Sequence, residues 1–373
     1  MSRHSRDEMV KRIHPRYLQA NKAEKGRILN EFVTTTGYHR KHAIRLLKHG
    51  VHQRRRGRKR VYAGETVRAL AEVWEVASRI CGKRLQPFLP ELLAALERHQ
   101  EVCLDGQTRE QLLAMSASTI DRKLTPFRDR RDHTTTKPGT LLRDSIPIRT
   151  FADWDDAQPG LMEIDLVAHC GDSTEGQFIQ TLTAVDIRTG WTECLPIPTR
   201  SQVAVSAAIG QLRQRLPFPL LGIDSDNDGA FINDTLTRYY QAEKITFTRS
   251  RPYRKNDQAH VEQKNWSVVR RTIGYQRYES DATLALLTTI YADLRLYVNF
   301  FQPLMMLVSK ERRGSKIHKQ YDAARTPCQR VLAEMEMPAR VKLGLQHTFW
   351  HLNPVALKVS IDDGLKNLWR LPR

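Results

Sequence analysis

With 373 residues, 40% of them hydrophobic, the chain has room for two or three domains and a sizeable core. No run of about eighteen apolar residues occurs, which excludes a transmembrane helix, and the basic, polar N-terminus has no apolar stretch of the kind a signal peptide needs. A formal net charge of +19 and a pI of about 9.9 call for a polyanionic partner, nucleic acid before membrane; the bland alternative is a ribosome-associated or simply basic protein. The cysteines, at 81, 103, 170, 194 and 328, form no CxxC pair, which argues against a zinc ribbon or disulfide framework and fits a reducing cytoplasm.

Residues 1–50 read as helices. Ile28, Leu29 and Phe32 have helical spacing, Thr34-Thr35-Thr36-Gly37 is a turn, and a second helix from His39 to Lys48 turns Ala43, Leu46 and Leu47 inward and Arg40, Lys41 and Arg45 outward. Helix, glycine turn and basic second helix make a helix-turn-helix pattern that reads DNA; a plain αα-hairpin with solvated charges is the alternative. Arg54 to Arg60, with Arg56 and Arg58 at its centre, is either a solvated linker or an arm along phosphates.

A second helical unit spans 64–124. Glu65–Ile80 is amphipathic, Pro87 and Pro90 mark a helix start, and Thr108 with Gln111 reads as a capping box. Ser116–Leu124 begins a short basic helix offering Arg122 and Lys123, a weaker DNA-binding candidate. Residues 125–159, with Pro126, Pro138, Pro147 and Pro159, read as an inter-domain linker.

From Gly160 to about residue 305 strands and helices alternate. Strands are expected at 161–167, 177–187 and 191–197, the last two joined by the hairpin turn Arg188-Thr189-Gly190, then at 220–224 and 244–248. Helices are expected at 202–216, 231–242, 257–272 and 282–301. This order gives a mixed α/β sheet with helices packed on it. Residues 306–373 read as a tail with strand-like pieces at 357–361 and 368–371 around the turn Asp362-Asp363-Gly364.

Three acids stand out in the alternating region. Asp165 lies in an apolar strand interrupted by acids, on one face with Glu163 and Val167, where an ionised group is costly unless a cation or donor compensates it. Asp226 follows the strand at 220–224, at the carboxyl edge where open α/β sheets place their sites. Glu262 shares a helical stripe with Trp266, Val269 and Ile273, which points it toward the sheet. Carboxylates from separate elements suit hard, oxygen-ligated cations such as Mg²⁺, and paired ions stabilise the attacking and leaving oxygens of a phosphodiester. Asp226 as an Asx-turn and Glu262 as an ion-pair partner of Lys264 or Arg251 are the structural alternatives. Arg251, Arg254, Lys255 and Lys264 flank the last acid and suit DNA phosphates; a solvated face explains part of that run. His169 and His260 read as structural or surface histidines rather than acid–base groups.

Thirty-five residues separate Asp226 from Glu262. With Asp165 upstream, this constellation resembles the D,D-35-E arrangement of the DDE transposases of bacterial insertion sequences, the retroviral-integrase-like, integrase-core family. The resemblance covers roughly residues 160–305, with a looser match at Asn299-Phe300-Phe301-Gln302-Pro303 and Arg325–Leu332. It implies a ribonuclease-H-like catalytic core, an N-terminal all-α helix-turn-helix region and a small C-terminal β-rich tail. It further implies that Asp165, Asp226 and Glu262 hold two Mg²⁺ ions (Mn²⁺ as a substitute), cleave the 3′ ends of an element and join them to target DNA. The implied partners are double-stranded DNA, as terminal repeats and target, and further copies of the chain in a homo-oligomer; the implied setting is the bacterial cytoplasm at the nucleoid. One departure stands out. The family shows Asp-Asn-Gly, one residue, then Glu-Phe, whereas this chain has Asp226-Asn227-Asp228-Gly229-Ala230-Phe231. That leaves two rivals open: an inert, transposase-derived DNA-binding regulator, and a ribonuclease-H-like nuclease that cuts without joining.

Overall fold

A computed structural model describes residues 1–51, 62, 64–128, 158–225, 231, 240–249, 259–313 and 316–371. The chain divides into a unit Met1–Val61 and a unit Tyr62–Arg373. No helix among the described residues is long and apolar enough to cross a membrane.

The first unit is three helices, α1 (Arg3–Gln19), α2 (Lys22–Thr36) and α3 (Arg40–His49). Asn21 and Glu24 close α2 with a capping box, and Gly37, at φ +69°, ends it in the left-handed conformation that glycine adopts without penalty. Val10, Tyr17, Ile28, Leu29, Phe32, Ala43 and Leu47 form its own small core. Arg40, Lys41 and Arg45 stay exposed on α3.

The second unit opens with α4 (Glu65–Val76), α5 (Gly82–Arg98), α6 (Gly106–Leu113) and α7 (Ala117–Leu124). Two details of the sequence reading change here. Pro87 and Pro90 lie inside α5, whose buried Leu85, Phe88, Leu89, Leu92, Leu93 and Leu96 supply enough packing to outweigh the lost backbone bonds. The cap of α6 is Asp105, which accepts from the Thr108 N–H at 2.8 Å, so Thr108 is already within the helix and buried.

The sheet has five strands: β1 (Leu161–Ala168), β2 (Gln180–Asp186), β3 (Thr192–Ile197), β4 (Gly222–Ser225) and β5 (Thr246–Arg249), in the order β3-β2-β1-β4-β5. The first three pair antiparallel, and β4 and β5 run parallel to β1. This is a mixed five-stranded sheet, as the order of strands and helices after Gly160 predicts. A buried clasp sets where β1 begins. Asp186, at the end of β2, accepts from the Gly160 N–H at 2.7 Å and from the Thr189 N–H and hydroxyl at 2.7 and 2.6 Å. Gly160 sits at φ +116°, and a Cβ there would lie 2.2 Å from the Pro219 carbonyl oxygen. Only glycine makes that crossing.

Helix α8 (Gln202–Arg215) follows β3, and α9 (Ala259–Lys264) continues through one wide π turn at Asn265–Arg270 into Arg271–Ile273. The long α10 (Asp281–Phe301) packs along β3. Its buried Asn299 accepts from the Thr192 N–H and donates to the Thr192 carbonyl, both at 2.8 Å, and so pairs part of the edge strand. At the other side of α10, Tyr297 bonds the Ser78 hydroxyl at 2.7 Å and Gln302 donates to the Ala77 carbonyl, docking the end of α4 on the same core.

The tail departs from the expected β-rich ending. A hairpin, β6 (Leu307–Arg313) and β7 (Lys316–Tyr321), does form, but α11 (Pro327–Ala333), α12 (Ala339–His351) and α13 (Pro354–Arg370) make up the remainder. The segments 357–361 and 368–371, read as strands, lie in or at the end of α13. Asn353 caps that helix, Pro354 opens it, and Leu357, Ile361, Leu365 and Leu368 are buried at helical spacing. Gly364 is not a turn residue: a Cβ there would come within 2.7 Å of Ile290, so its absence lets α13 approach α10.

Replacing Asp186 with alanine leaves the Gly160 and Thr189 amides buried without acceptors. We expect a loss of roughly 2–4 kcal/mol in urea unfolding, while Thr189→Ala, which removes one donor only, costs about half as much.

Candidate active site

The acids of the sheet fall into two levels. Glu163 on β1, Asp224 on β4 and Thr248 on β5 occupy one rung across three strands. Glu163 and Asp224 are 5% and 2% exposed, and Thr248 donates its hydroxyl to Asp224 at 2.6 Å. Asp165, two residues further along β1, is half-buried and stands opposite Thr183 of β2.

Helix α9 is fastened over this face by its backbone. The N–H groups of His260 and Val261 donate to Glu163 Oε2 at 2.9 and 3.0 Å. A carboxylate at a helix N-terminus meets unsatisfied donors and the positive end of the helix dipole. Burial nevertheless pushes the Glu163 carboxyl above its usual range, with Asp224 adding to the effect and His260 and the two N–H groups opposing it. One turn on, Asn265 donates from its side-chain amide to Asp165 Oδ2 at 2.6 Å, while the Leu166 N–H donates to Oδ1 at 2.7 Å.

Glu262 lies three positions before Asn265, on the neighbouring stretch of helix surface. Its side chain is exposed, as is Trp266 at 53%, whereas Val261, Val269 and Ile273 are buried. The expected stripe through Glu262, Trp266, Val269 and Ile273 therefore does not hold. The π turn adds a residue to the helix surface after Lys264 and shifts the register, so the apolar face before it begins at Val261.

The flanking cations separate into different environments. Lys264 is half-buried among Cys194 and Arg84, and burial with Arg84 lowers its ammonium to about 8, partly offset by Cys194. It faces the protein, which sets it apart from an open phosphate contact. Lys123 donates to the Tyr62 carbonyl at 2.5 Å, and the exposed Arg122 to the Thr119 hydroxyl at 3.2 Å. Arg40 bonds the Asn30 side chain at 2.5 Å, and Arg45 reaches His42 at 3.5 Å. Asp226, Arg56, Arg58, Arg251, Arg254 and Lys255 lie outside the described residues.

His169, just past β1, is fully buried, with its Nε2 2.7 Å from the Thr181 hydroxyl, itself 2.7 Å from the Tyr291 hydroxyl. Burial, then Arg270, pushes its pKa down to about 3, which keeps it neutral and structural. Among the described residues, no three or more His, Cys, Asp and Glu side chains form a group suited to a metal ion. Asp165 and Glu262 offer oxygen ligands of the right kind, and both are open to solvent in part or in full. Neither Glu163 nor Asp224 was singled out by spacing. The signal was available in the period-two pairing of Glu163 with Asp165, but their partnership across β1 and β4 depends on strand register.

No family model matches the chain. It is 46% identical over 322 residues to "Uncharacterized protein y4rM" of Sinorhizobium fredii (strain NBRC 101917 / NGR234), across 85% of this chain and 92% of that protein. The chain belongs to the y4rM family. Among solved structures, the catalytic core domain of BIV integrase matches 52% of this chain and 99% of its own at 21% identity, with a TM-score of 0.28, a likeness too slight to support an argument.

The state of His169 has a measurable consequence. Because the fold lowers its pKa from 6.5 to about 3, its contribution to stability is complete above pH 6.5 and is lost as the pH falls toward 3. Glu163 and Asp186, both raised by burial, act in the opposite sense, so the informative quantity is the difference between variant and wild type. Urea unfolding of His169→Gln should show that difference shrinking on acidification, by at most about 1.4 kcal/mol per pH unit. A difference constant with pH would mean that the fold does not shift the imidazole's titration.

Proposed function

We propose that the chain is an integrase-type DNA transposase, in which Asp165, Asp226 and Glu262 carry metal-dependent cleavage of the 3′ ends of an element and transfer of those ends to target DNA. The observation that carries this reading is the attachment of α9 over the β1 acids. Glu163 takes the first amides of the helix and Asn265 reaches Asp165, so Glu262 is presented within one helical turn of a residue bonded to Asp165. Asp165 is two residues past Glu163 on β1, and Asp226 is two residues past Asp224, the partner of Glu163. Glu163 and Asp224 are nearly sealed from solvent and hold structure, whereas Asp165 is only half-buried.

Two Mg²⁺ ions, or Mn²⁺ in their place, would be held by Asp165, Asp226 and Glu262, and when bound supply charge stabilisation to the attacking and leaving oxygens. The protein's part is to orient the Asp165 carboxylate through the Leu166 and Asn265 donors, and to fix the helix that carries Glu262. Arg251, Arg254 and Lys255 precede that helix and suit phosphates flanking the scissile bond. The helix-turn-helix of α2 and α3 is the reader of the element ends, with Arg40, Lys41 and Arg45 on its exposed face. Arg56 and Arg58 in the arm that follows, and Arg122 on α7, add phosphate contacts. Paired ends require a homo-oligomer in this reading, and a nucleoid DNA substrate sets it in the cytoplasm.

Asp228 and Ala230, which stand where the family has glycine and glutamate, favour a second reading: an inert, DNA-binding regulator derived from a transposase. Mg²⁺-dependent nicking and strand transfer on DNA that carries the borders of the coding element separates the two, and cutting without joining would indicate a simple nuclease. We expect Asp165→Asn, Asp226→Asn and Glu262→Gln each to abolish cleavage and joining with DNA binding retained, and Asp224→Asn and Asp228→Asn to keep a measurable part. Robust cleavage by the Asp226 variant alongside a dead Asp228 variant would move the motif by two residues.

The reader is tested separately. Alanine at Arg40, Lys41 and Arg45 together should lower the preference for element ends over random duplex at least tenfold in competition binding, about 1–3 kcal/mol per lost base contact. An unchanged preference removes α3 from that role.

A further inference from the structure

The hairpin β6–β7 has no place in the site just described, and its composition is unusual. Residues 307–321 carry five Lys and Arg against a single acid, Glu311. Strand register sets Lys310 opposite Lys319 and Arg312 opposite Ile317, so Lys310, Arg312, Ile317, Lys319 and Tyr321 share one face, and Glu311 and His318 share the other. Val308, Ile317 and Tyr321 are 58%, 54% and 43% exposed, and Lys310 and Arg312 are exposed as well.

Like charges directly opposite one another weaken a two-stranded ribbon that is marginal to begin with. Burial and then the neighbouring Lys310 lower the Lys319 ammonium below its usual value, the mark of a cation without enough compensation. The root of the hairpin is by contrast firmly held. Leu304 and Arg325 exchange backbone bonds at 2.9 and 3.0 Å, Asp322 and Met306 pair at 2.7 and 3.0 Å, and Arg330 bonds both Asp322 at 2.7 Å and the Leu304 carbonyl at 3.0 Å. A pinned root with a blade whose opposed ammonium groups, Lys310 and Lys319, have no ion-pair partner among the described residues is the pattern of an anion-binding ribbon.

We propose that the β6–β7 ribbon binds the phosphate backbone of duplex DNA through Lys310, Lys319 and Arg312. This rests on the reading of the chain as a DNA-processing protein and adds a contact outside both the carboxylate site and α3. Charge complementarity selects the occupant: a face of cations with no acid, on a chain of net charge +19. A two-stranded ribbon is also narrow enough to follow the major groove, which is about 12 Å wide. The contact is independent of sequence, because it is made to phosphates.

The test uses the full chain and a short duplex of random sequence, with affinity measured over a range of KCl concentrations. Lys310→Ala and Lys319→Ala should each make the log–log salt slope shallower by about 0.9, and the double variant by about 1.8. The charge-retaining pair Lys310→Arg and Lys319→Arg should keep the wild-type slope, and all variants should keep the wild-type melting temperature. An unchanged slope in the alanine variants, with the wild type binding duplex, overturns the ribbon and leaves the DNA reading intact. A wild type that binds no duplex at any salt, or that binds acidic-lipid vesicles in its place, overturns both. If the double alanine variant melts early, the single variants and the arginine pair carry the test, since a slope lost in the arginine pair would also refute a charge contact.

Discussion

The second unit depends on how two buried carboxylates are compensated at the centre of its sheet. Glu163 and Asp224 are neighbours on parallel strands, nearly free of solvent, and an ionised group in such a place costs several kcal/mol when left alone (about 2–7 even for a neutral polar group). The structure answers with oriented dipoles. Two backbone amides at the start of α9 point at Glu163, and the Thr248 hydroxyl points at Asp224. Because those amides belong to a helix end, solvating the acid and placing the helix are the same event.

That coupling has consequences one turn further on. With the first turn of α9 held to Glu163, Asn265 reaches Asp165, and the π turn that follows lets Val268, Val269 and Ile273 sink into the core without dragging Trp266 with them. Glu262 is thereby left on the open side, while Lys264 is turned inward toward Cys194 and Arg84. A helix that looks uniformly amphipathic in sequence is in fact two faces joined by a register shift. Such wide turns are frequent at functional sites because they aim side chains that an unbroken helix would misplace.

Helix α10 provides the complementary support. Asn299 pairs the backbone of edge strand β3, Tyr297 receives the end of α4, and Gly364 allows α13 to lie close along Ile290. The helices on either side of the sheet sequence thus share its core, and the rigid background for the acids is built from segments far apart in the chain.

Composition and periodicity determined much of this protein. The basic character, the helical beginning with its exposed Arg40, Lys41 and Arg45, the strand–helix alternation after Gly160 and the hairpin turn at Arg188-Thr189-Gly190 were all legible, because each depends on local propensity, turn chemistry or an apolar period. Asp165 stood out for the same reason: an acid in an apolar strand is visible one residue at a time. What tertiary structure decided are matters of partnership and register. Glu163 and Asp224 become a pair only when β1 and β4 align, and Glu262 faces outward only because a π turn resets the helix. Lys264 lies half-buried against the charge of Arg84, with Cys194 as partial compensation, a setting that no local pattern of sequence shows. The tail shows the difference most plainly. Asp362-Asp363-Gly364 is a turn by local chemistry, yet the burial of Leu357, Ile361, Leu365 and Leu368 against distant helices carries α13 straight through it, since packing an apolar face outweighs the modest cost of one glycine in a helix.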